Sequence, residues 1–325
     1  MSDLQKITHC LLAAGGAVSE QGFHLLYNEE DDLVEKLWNG VEVQDERTVA
    51  SNVREDTPAT YTVVGMNGSP ERLVFCIDQA NFLKCYMYSS DEEGWEEADL
   101  GAARNTAVHP QSMLGTDVTP SGINVFFQNP TGKLQGLAMK GGSWELTEEL
   151  LANPVMGTPL SIIVNDDELL LFYLNKDSTM RYQVKSHETK QWEDRIWETV
   201  KIETPVIRFK VSQDDKTKSF EAYVLTNGSL VQFVGNQNRV ILGEVKNGTL
   251  VHSSTAESAI RTFLSFWEEQ KLQIESKFVR ICKADFLIKF YSFEITVFKY
   301  HKTFQKISTD RNHCPPKYTV WRSKV

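Results

Sequence analysis

Phe220-Glu221-Ala222-Tyr223-Val224-Leu225, then Thr226-Asn227-Gly228-Ser229, then Leu230-Val231-Gln232-Phe233-Val234, are two short apolar runs joined by a polar turn. Runs of this length, rich in β-branched and aromatic residues and bounded by turn residues, read as strands. Asn-Gly accepts the positive φ that a tight type I′ turn needs, so the segment predicts a β-hairpin. The same Asn-Gly pair recurs at 247–248 and at 67–68. All three pairs also fit an N-x-S/T sequon, but turn asparagines account for them without a secretory route.

The hairpin is one copy of a repeat. Its second-strand run has counterparts at Phe23–Leu26, Leu73–Ile77, Ile123–Phe127 and Leu169–Leu174. Ahead of these runs stands a Thr followed by a small residue: Thr57-Pro58, Thr106-Ala107, Thr158-Pro159, Thr204-Pro205 and Thr255-Ala256, with a weaker copy at Thr8. From Thr8 onward the intervals are 49, 49, 52, 46 and 51. Three copies close on a tryptophan, at Trp95, Trp144 and Trp192. Three or four strands per unit of this length is the arithmetic of a propeller blade. One blade cannot bury both of its faces, whereas a ring of blades can. The expected fold is therefore all-β, a six-bladed β-propeller with five clear blades and an irregular sixth. Residues 1–255 hold the five blades. Residues 256–325 form the irregular blade or a divergent basic segment: no glycine follows Gly248, and Ser265 to Gln270 reads more like helix than strand.

Charge is uneven along the chain. Net charge is −10 overall, with −16 on residues 1–255 and +6 on residues 256–325. An acidic body repels phosphate, which argues against a nucleic-acid partner. No apolar run reaches the length of a membrane span. The first 20 residues lack a basic segment ahead of a long apolar one, so a cytoplasmic or unconventionally secreted protein is expected. The five cysteines, at 10, 76, 85, 282 and 314, contain no CxxC and read as buried thiols. Cys76 and Cys85 are placed where a hairpin brings residues together.

Catalytic motifs are missing from the sequence. It contains no G-x-S-x-G, HExxH, GxGxxG or P-loop, and no histidine pair at metal-ligand spacing. No cofactor is expected, and the protein is expected not to be an enzyme. The repeated Trp admits two readings. It packs blade against blade, or it stacks on the C–H face of a sugar while polar side chains take the hydroxyls.

Tyr88-Ser89-Ser90-Asp91-Glu92-Glu93-Gly94-Trp95 with Leu100-Gly101-Ala102-Ala103, and Ile123-Asn124-Val125-Phe126-Phe127-Gln128 with Gly132-Lys133-Leu134-Gln135, resemble blades of the fungal fucose-specific lectins. The resemblance spans about residues 5–255. It implies a six-bladed propeller, often a homodimer, that binds fucosylated glycans between adjacent blades. The implied pocket uses an Arg on the second strand, a Glu on the third, and a Trp and a Tyr from the next blade. Carried onto this chain, the Arg position falls on His24, Val74, Asn124, Leu170 and Glu221, and the Glu position on Glu35, Cys85, Gly136, Tyr182 and Gln232. The first interface keeps a polar pair, His24 with Glu35, facing Tyr88 and Trp95. The second leaves Trp144 without polar partners, and the third sets Asn124 alone against Trp192. A histidine replaces one hydrogen bond of an arginine but not its fork. The expected function is thus a lectin with largely degenerate pockets. An interaction scaffold without sugar binding is the alternative. A propeller glycosidase is a third reading, and it requires two converging carboxylates.

Overall fold

The computed structural model describes residues 13–252, apart from 20–21, 67–68, 120–121, 166, 203–204, 214–216, 235–237 and 247–248. The expected irregular segment 256–325, and the repeat positions Thr8, Thr204 and Thr255, lie outside the described residues.

The protein is an all-β propeller, described here as five consecutive blades. Blade 1 comprises β1 (Gly15–Ser19), β2 (Gly22–Glu29), β3 (Asp32–Trp38) and β4 (Val43–Ser51). Blade 2 comprises β5 (Thr60–Met66), β6 (Ser69–Ile77), β7 (Leu83–Ser89) and β8 (Gly94–Glu97). Blade 3 comprises β9 (Gly115–Thr119), β10 (Gly122–Gln128), β11 (Leu134–Lys140) and β12 (Ser143–Leu146). Blade 4 comprises β13 (Ser161–Val164), β14 (Glu168–Leu174), β15 (Thr179–Ser186) and β16 (Trp192–Lys201). Blade 5 comprises β17 (Val206–Gln213), β18 (Phe220–Thr226), β19 (Ser229–Val234), β20 (Asn238–Lys246) and an added β21 (Thr249–His252). Within each blade every strand pairs antiparallel with its sequence neighbour. The first strands of successive blades touch, in the order β1, β5, β9, β13, β17.

The Asn227-Gly228 turn joins β18 to β19 in two residues, as the hairpin reading requires, but neither residue takes the positive φ of the expected type I′ turn; Thr226 Oγ1 holds the turn instead, accepting from the Ser229 N–H at 3.0 Å. At Asn129 the turn is held by the side chain: Oδ1 accepts from the backbone N–H of Thr131 (3.1 Å) and of Lys133 (3.0 Å). Gly122 sits at φ +134°, where a Cβ would run into the Met139 carbonyl of the adjoining strand; Gly22 stands in the same relation to Trp38.

The core lies between blades rather than within them. Second strands are covered on both faces, so β14 reads Leu169 to Leu174 as one buried run. Successive side chains nonetheless point to opposite neighbours. Leu73 and Phe75 pack toward blade 3, while Val74 and Cys76 pack toward blade 1. Phe126 faces blade 4 and Phe127 faces blade 2. Burying one such ring completely stabilises the fold by roughly 1.5–3 kcal/mol.

Two positions differ from the sequence-based expectation. The threonine of the repeat has a physical role at Thr57, whose buried hydroxyl accepts from the Ile77 N–H (2.9 Å) and donates to a backbone carbonyl. Thr158 does the same for the Leu174 N–H (2.7 Å). In blade 3 this role falls to Ser112, which accepts from the Gln128 N–H at 2.8 Å, and not to Thr106. Thr57, Ser112 and Thr158 each stand just ahead of a first strand. Thr106 instead donates to Ala103 O in the linker after β8, because that linker is longer and holds a short 3-10 turn at Gly101–Ala103. The second correction is Val74. The pairing Leu26↔Glu35 matches Phe75↔Cys85, so the residue equivalent to His24 is Leu73, one place earlier. A one-residue slip moves a side chain to the other face. Cys76 pairs with Lys84 and Cys85 with Phe75, so the two thiols face different neighbours and both are free.

Candidate ligand-binding cleft

Strand alternation aims His24, Leu26 and Glu35 of blade 1 at blade 2. The same rule aims Tyr61, Arg72 and Val74 of blade 2 back at them. Glu35 is the hub where the two sets meet. Its Oε1 accepts from His24 Nδ1 (2.7 Å), the Tyr61 hydroxyl (3.0 Å) and Arg72 Nη1 (3.4 Å). Its Oε2 accepts from Trp95 Nε1 at 3.0 Å. The Glu35 residue is only 4% exposed and His24 5%. Burial pushes the Glu35 carboxyl pKa up, but the His24 hydrogen bond, the Arg72 and His24 charges and the indole donor outweigh it and hold the pKa below the ordinary value. Burial and the neighbouring carboxylate push the Tyr61 hydroxyl well above its ordinary pKa, so it stays a donor.

Above this floor the groups are aromatic and cationic. Tyr88 and Trp95, facing residues of β7 and β8, meet edge to face with centroids 5.5 Å apart. Tyr61 meets the same indole edge to face at 5.8 Å. The Arg72 guanidinium lies over the Tyr88 ring at 3.5 Å and reaches Trp95 at 5.4 Å. Arg47, on β4 of blade 1, lies 5.2 Å from the Tyr88 centroid and donates to the Tyr88 hydroxyl. It is anchored by Asp45 Oδ2 at 2.7 Å and by the Glu93 carbonyl at 3.1 Å.

Four residues expected from sequence, His24, Glu35, Tyr88 and Trp95, are brought together here. Tyr61, Arg72 and Arg47 were missed. A signal for Arg72 existed: a charged residue two positions before Val74 shares its face and so points at blade 1. Tyr61 and Arg47 carry no such mark, because their places depend on how the blades meet.

The remaining sequence candidates lie in other surroundings. Trp144 meets Phe75 edge to face at 5.6 Å, with buried Cys85 in the same cluster, so the surroundings of Trp144 between blades 2 and 3 are apolar. Burial pushes the Cys76 thiol up to about 12 and the Cys85 thiol higher still. Trp192 meets Phe126 at 5.8 Å, with Lys185 Nζ 5.4 Å from its ring. Asn124 is half-buried on the same side of blade 3, opposite Asp117 and Ala138, with no hydrogen bond to Trp192. On the facing blade Asp194 Oδ1 accepts from Tyr173 and Gln183, both at 2.7 Å, and pairs with Arg181. Between blades 4 and 5, Tyr182, Phe172, Trp197 and Phe220 fill the space with stacked and edge-on rings. On the far face of blade 5, Gln232 donates to Glu221 and to the Tyr223 hydroxyl. Cleft 1–2 differs because Leu26 stands where Phe75, Phe126 and Phe172 stand elsewhere. The smaller side chain leaves room beside the indole for polar groups.

No family model and no curated protein sequence matches the chain. Solved structures do match it. AofleA from Arthrobotrys oligospora superposes with a TM-score of 0.59 at 18% identity, over 74% of this chain and 74% of that one. A fucose-specific lectin from Aleuria aurantia gives 0.55 at 15%, over 72% and 77%. SapL1, solved with alpha methyl fucoside, gives 0.52 at 15%, over 74% and 80%. The Aleuria lectin is described as a six-bladed β-propeller, and the five described blades share that fold.

Proposed function

We propose that this chain is a carbohydrate-binding propeller, a lectin with one working cleft between blades 1 and 2. The observation that carries the reading is the ionised, buried Glu35 at the junction of two blades, with Trp95 donating to it and Tyr88 beside the indole. A buried carboxylate set beside an aromatic wall is the combination that holds a pyranose, through its hydroxyls on one side and its C–H face on the other. Among the described residues the floor of this cleft holds one carboxylate, bound by four donors. That fits binding better than hydrolysis, which needs a pair. Fucose, the sugar in crystals of the structural neighbours, is the first ligand to test.

One cleft forgoes the avidity that several clefts would gain on a multivalent glycan, so binding should show the intrinsic affinity of a single site. Titration with methyl α-L-fucoside, read by tryptophan fluorescence and calorimetry, should give one site. Glu35→Gln should abolish it. A glycan array and this titration both blank at millimolar sugar would sink the reading.

The second reading is a scaffold without sugar binding. It is favoured by Arg72, which lies across the cleft mouth, and by the aromatic plug between blades 4 and 5. Unchanged fluorescence with every sugar would select it.

A further inference from the structure

The mouth of cleft 1–2 carries two guanidiniums on one ring. Arg72 and Arg47 lie 3.5 and 5.2 Å from the Tyr88 centroid. A guanidinium presents five donors in a planar fork. Between them they engage two carboxylates, Arg47 through Nε to Asp45 at 2.7 Å and Arg72 through one 3.4 Å contact to Glu35. That second contact is long, and Glu35 Oε1 already accepts from His24 and Tyr61 at shorter range. The ring face attracts a cation, but two cations at one ring repel each other.

Of the two guanidiniums, Arg72 therefore has the longer ion pair. Its side chain is 23% exposed while the carboxylate beneath it is 4% exposed, so Arg72 is the member of that pair that reaches solvent at the cleft mouth. A neutral sugar seated on Tyr88 must push a stacked guanidinium aside and offers it only neutral hydroxyl acceptors in return. A sugar carrying a carboxylate offers that fork a two-point partner and relieves the repulsion from Arg47. The chain's net charge of −10 repels an anion at long range, but physiological salt screens exposed charges beyond about 8 Å.

We propose that this cleft prefers a carboxylate-bearing sugar, a uronic or sialic acid, with Arg72 as the residue that binds its carboxylate and Arg47 as the second charge. The inference rests on the carbohydrate-binding reading above.

The test compares isosteric probes on the full chain by calorimetry: methyl β-D-glucuronide against methyl β-D-glucoside, with the methyl glycoside of N-acetylneuraminic acid and methyl α-L-fucoside alongside. The glucuronide or the sialoside should bind at least tenfold more tightly than the glucoside, and which of the two does so identifies the sugar. Arg72→Gln should bring that ratio to near one, whereas Lys133→Gln, an exposed cation elsewhere, should leave it unchanged. If Arg72→Gln does not fold, Arg47→Gln must lower the ratio by at least half. Equal affinity for acidic and neutral sugars while the fucoside binds would overturn this inference and leave the lectin reading standing. A preference that survives both arginine substitutions would overturn it too. Silence with every sugar would remove both.

Discussion

The indole N–H of Trp95, on blade 2, donates to Oε2 of Glu35, on blade 1, at 3.0 Å. This bond crosses a blade boundary and ties a repeated tryptophan to a carboxylate that no other described interface possesses at its matching position: Cys85, Gly136 and Tyr182 stand there instead. Glu35 thus serves the junction of the blades as well as the cleft.

Removing it should cost stability. Glu35→Ala takes one bond from His24 and removes the acceptor that the buried Tyr61 hydroxyl and the Trp95 indole share, and it leaves Arg72 free to turn to water. A loss of about 3 kcal/mol is expected from such a break. Glu35→Gln keeps the shape and one acceptor oxygen and should lose roughly half of that. Urea unfolding followed by tryptophan fluorescence measures both.

Acid should act through the same group. The folded-state pKa of Glu35 lies below the ordinary value of 4.5, so its stabilisation is complete above 4.5 and is lost as pH falls from there through the folded value. The stability difference between the wild type and Glu35→Gln should be constant at neutral pH and shrink below about pH 4.5, where the unfolded chain takes up the proton first. A difference that grows on acidification would contradict the assigned charge state.

Phe75 should matter to the fold and not to the ligand. It is fully buried against Trp144 in the apolar cluster between blades 2 and 3. Phe75→Ala should destabilise the protein by about 3–5 kcal/mol. Sugar affinity at cleft 1–2, measured at a temperature where the variant is folded, should not change.

Hydroxyls ahead of the first strands should be worth more than the one the repeat spacing suggested in blade 3. Thr57→Val, Thr158→Val and Ser112→Ala each leave a buried backbone N–H unpaired, at Ile77, Leu174 and Gln128 respectively. Each should cost about 1–3 kcal/mol. Thr106→Val loses only a donor to Ala103 O and should cost less than Ser112→Ala. Equal losses for Thr106→Val and Ser112→Ala would restore the spacing-based alignment.

Cys76 and Cys85 should resist thiol reagents in the folded protein, since both are buried and their thiols are held protonated. Peptide mapping after alkylation should find both unlabelled in buffer, both labelled in urea, and no disulfide between them.

The strands, the two-residue turn at Asn227-Gly228 and the blade count of the described region were legible along the chain, because short apolar runs and the turn residues between them are local signals. So were His24 and Glu35, which sit in one hairpin, and Trp95, which recurs with the repeat. The register of β6 was not legible: Leu73-Val74-Phe75 is apolar throughout, and with both faces buried no alternation marks which residue points where. The Ser112 role was hidden by a linker of different length, which put a threonine where the spacing expected one. Only the tertiary structure placed Tyr61, Arg72 and Arg47 around Glu35 and Tyr88, since that depends on which faces of two separately coded blades meet. The chain by itself therefore determined the blade, and the packing of one blade on the next decided what the tryptophan and carboxylate of the first cleft have for company.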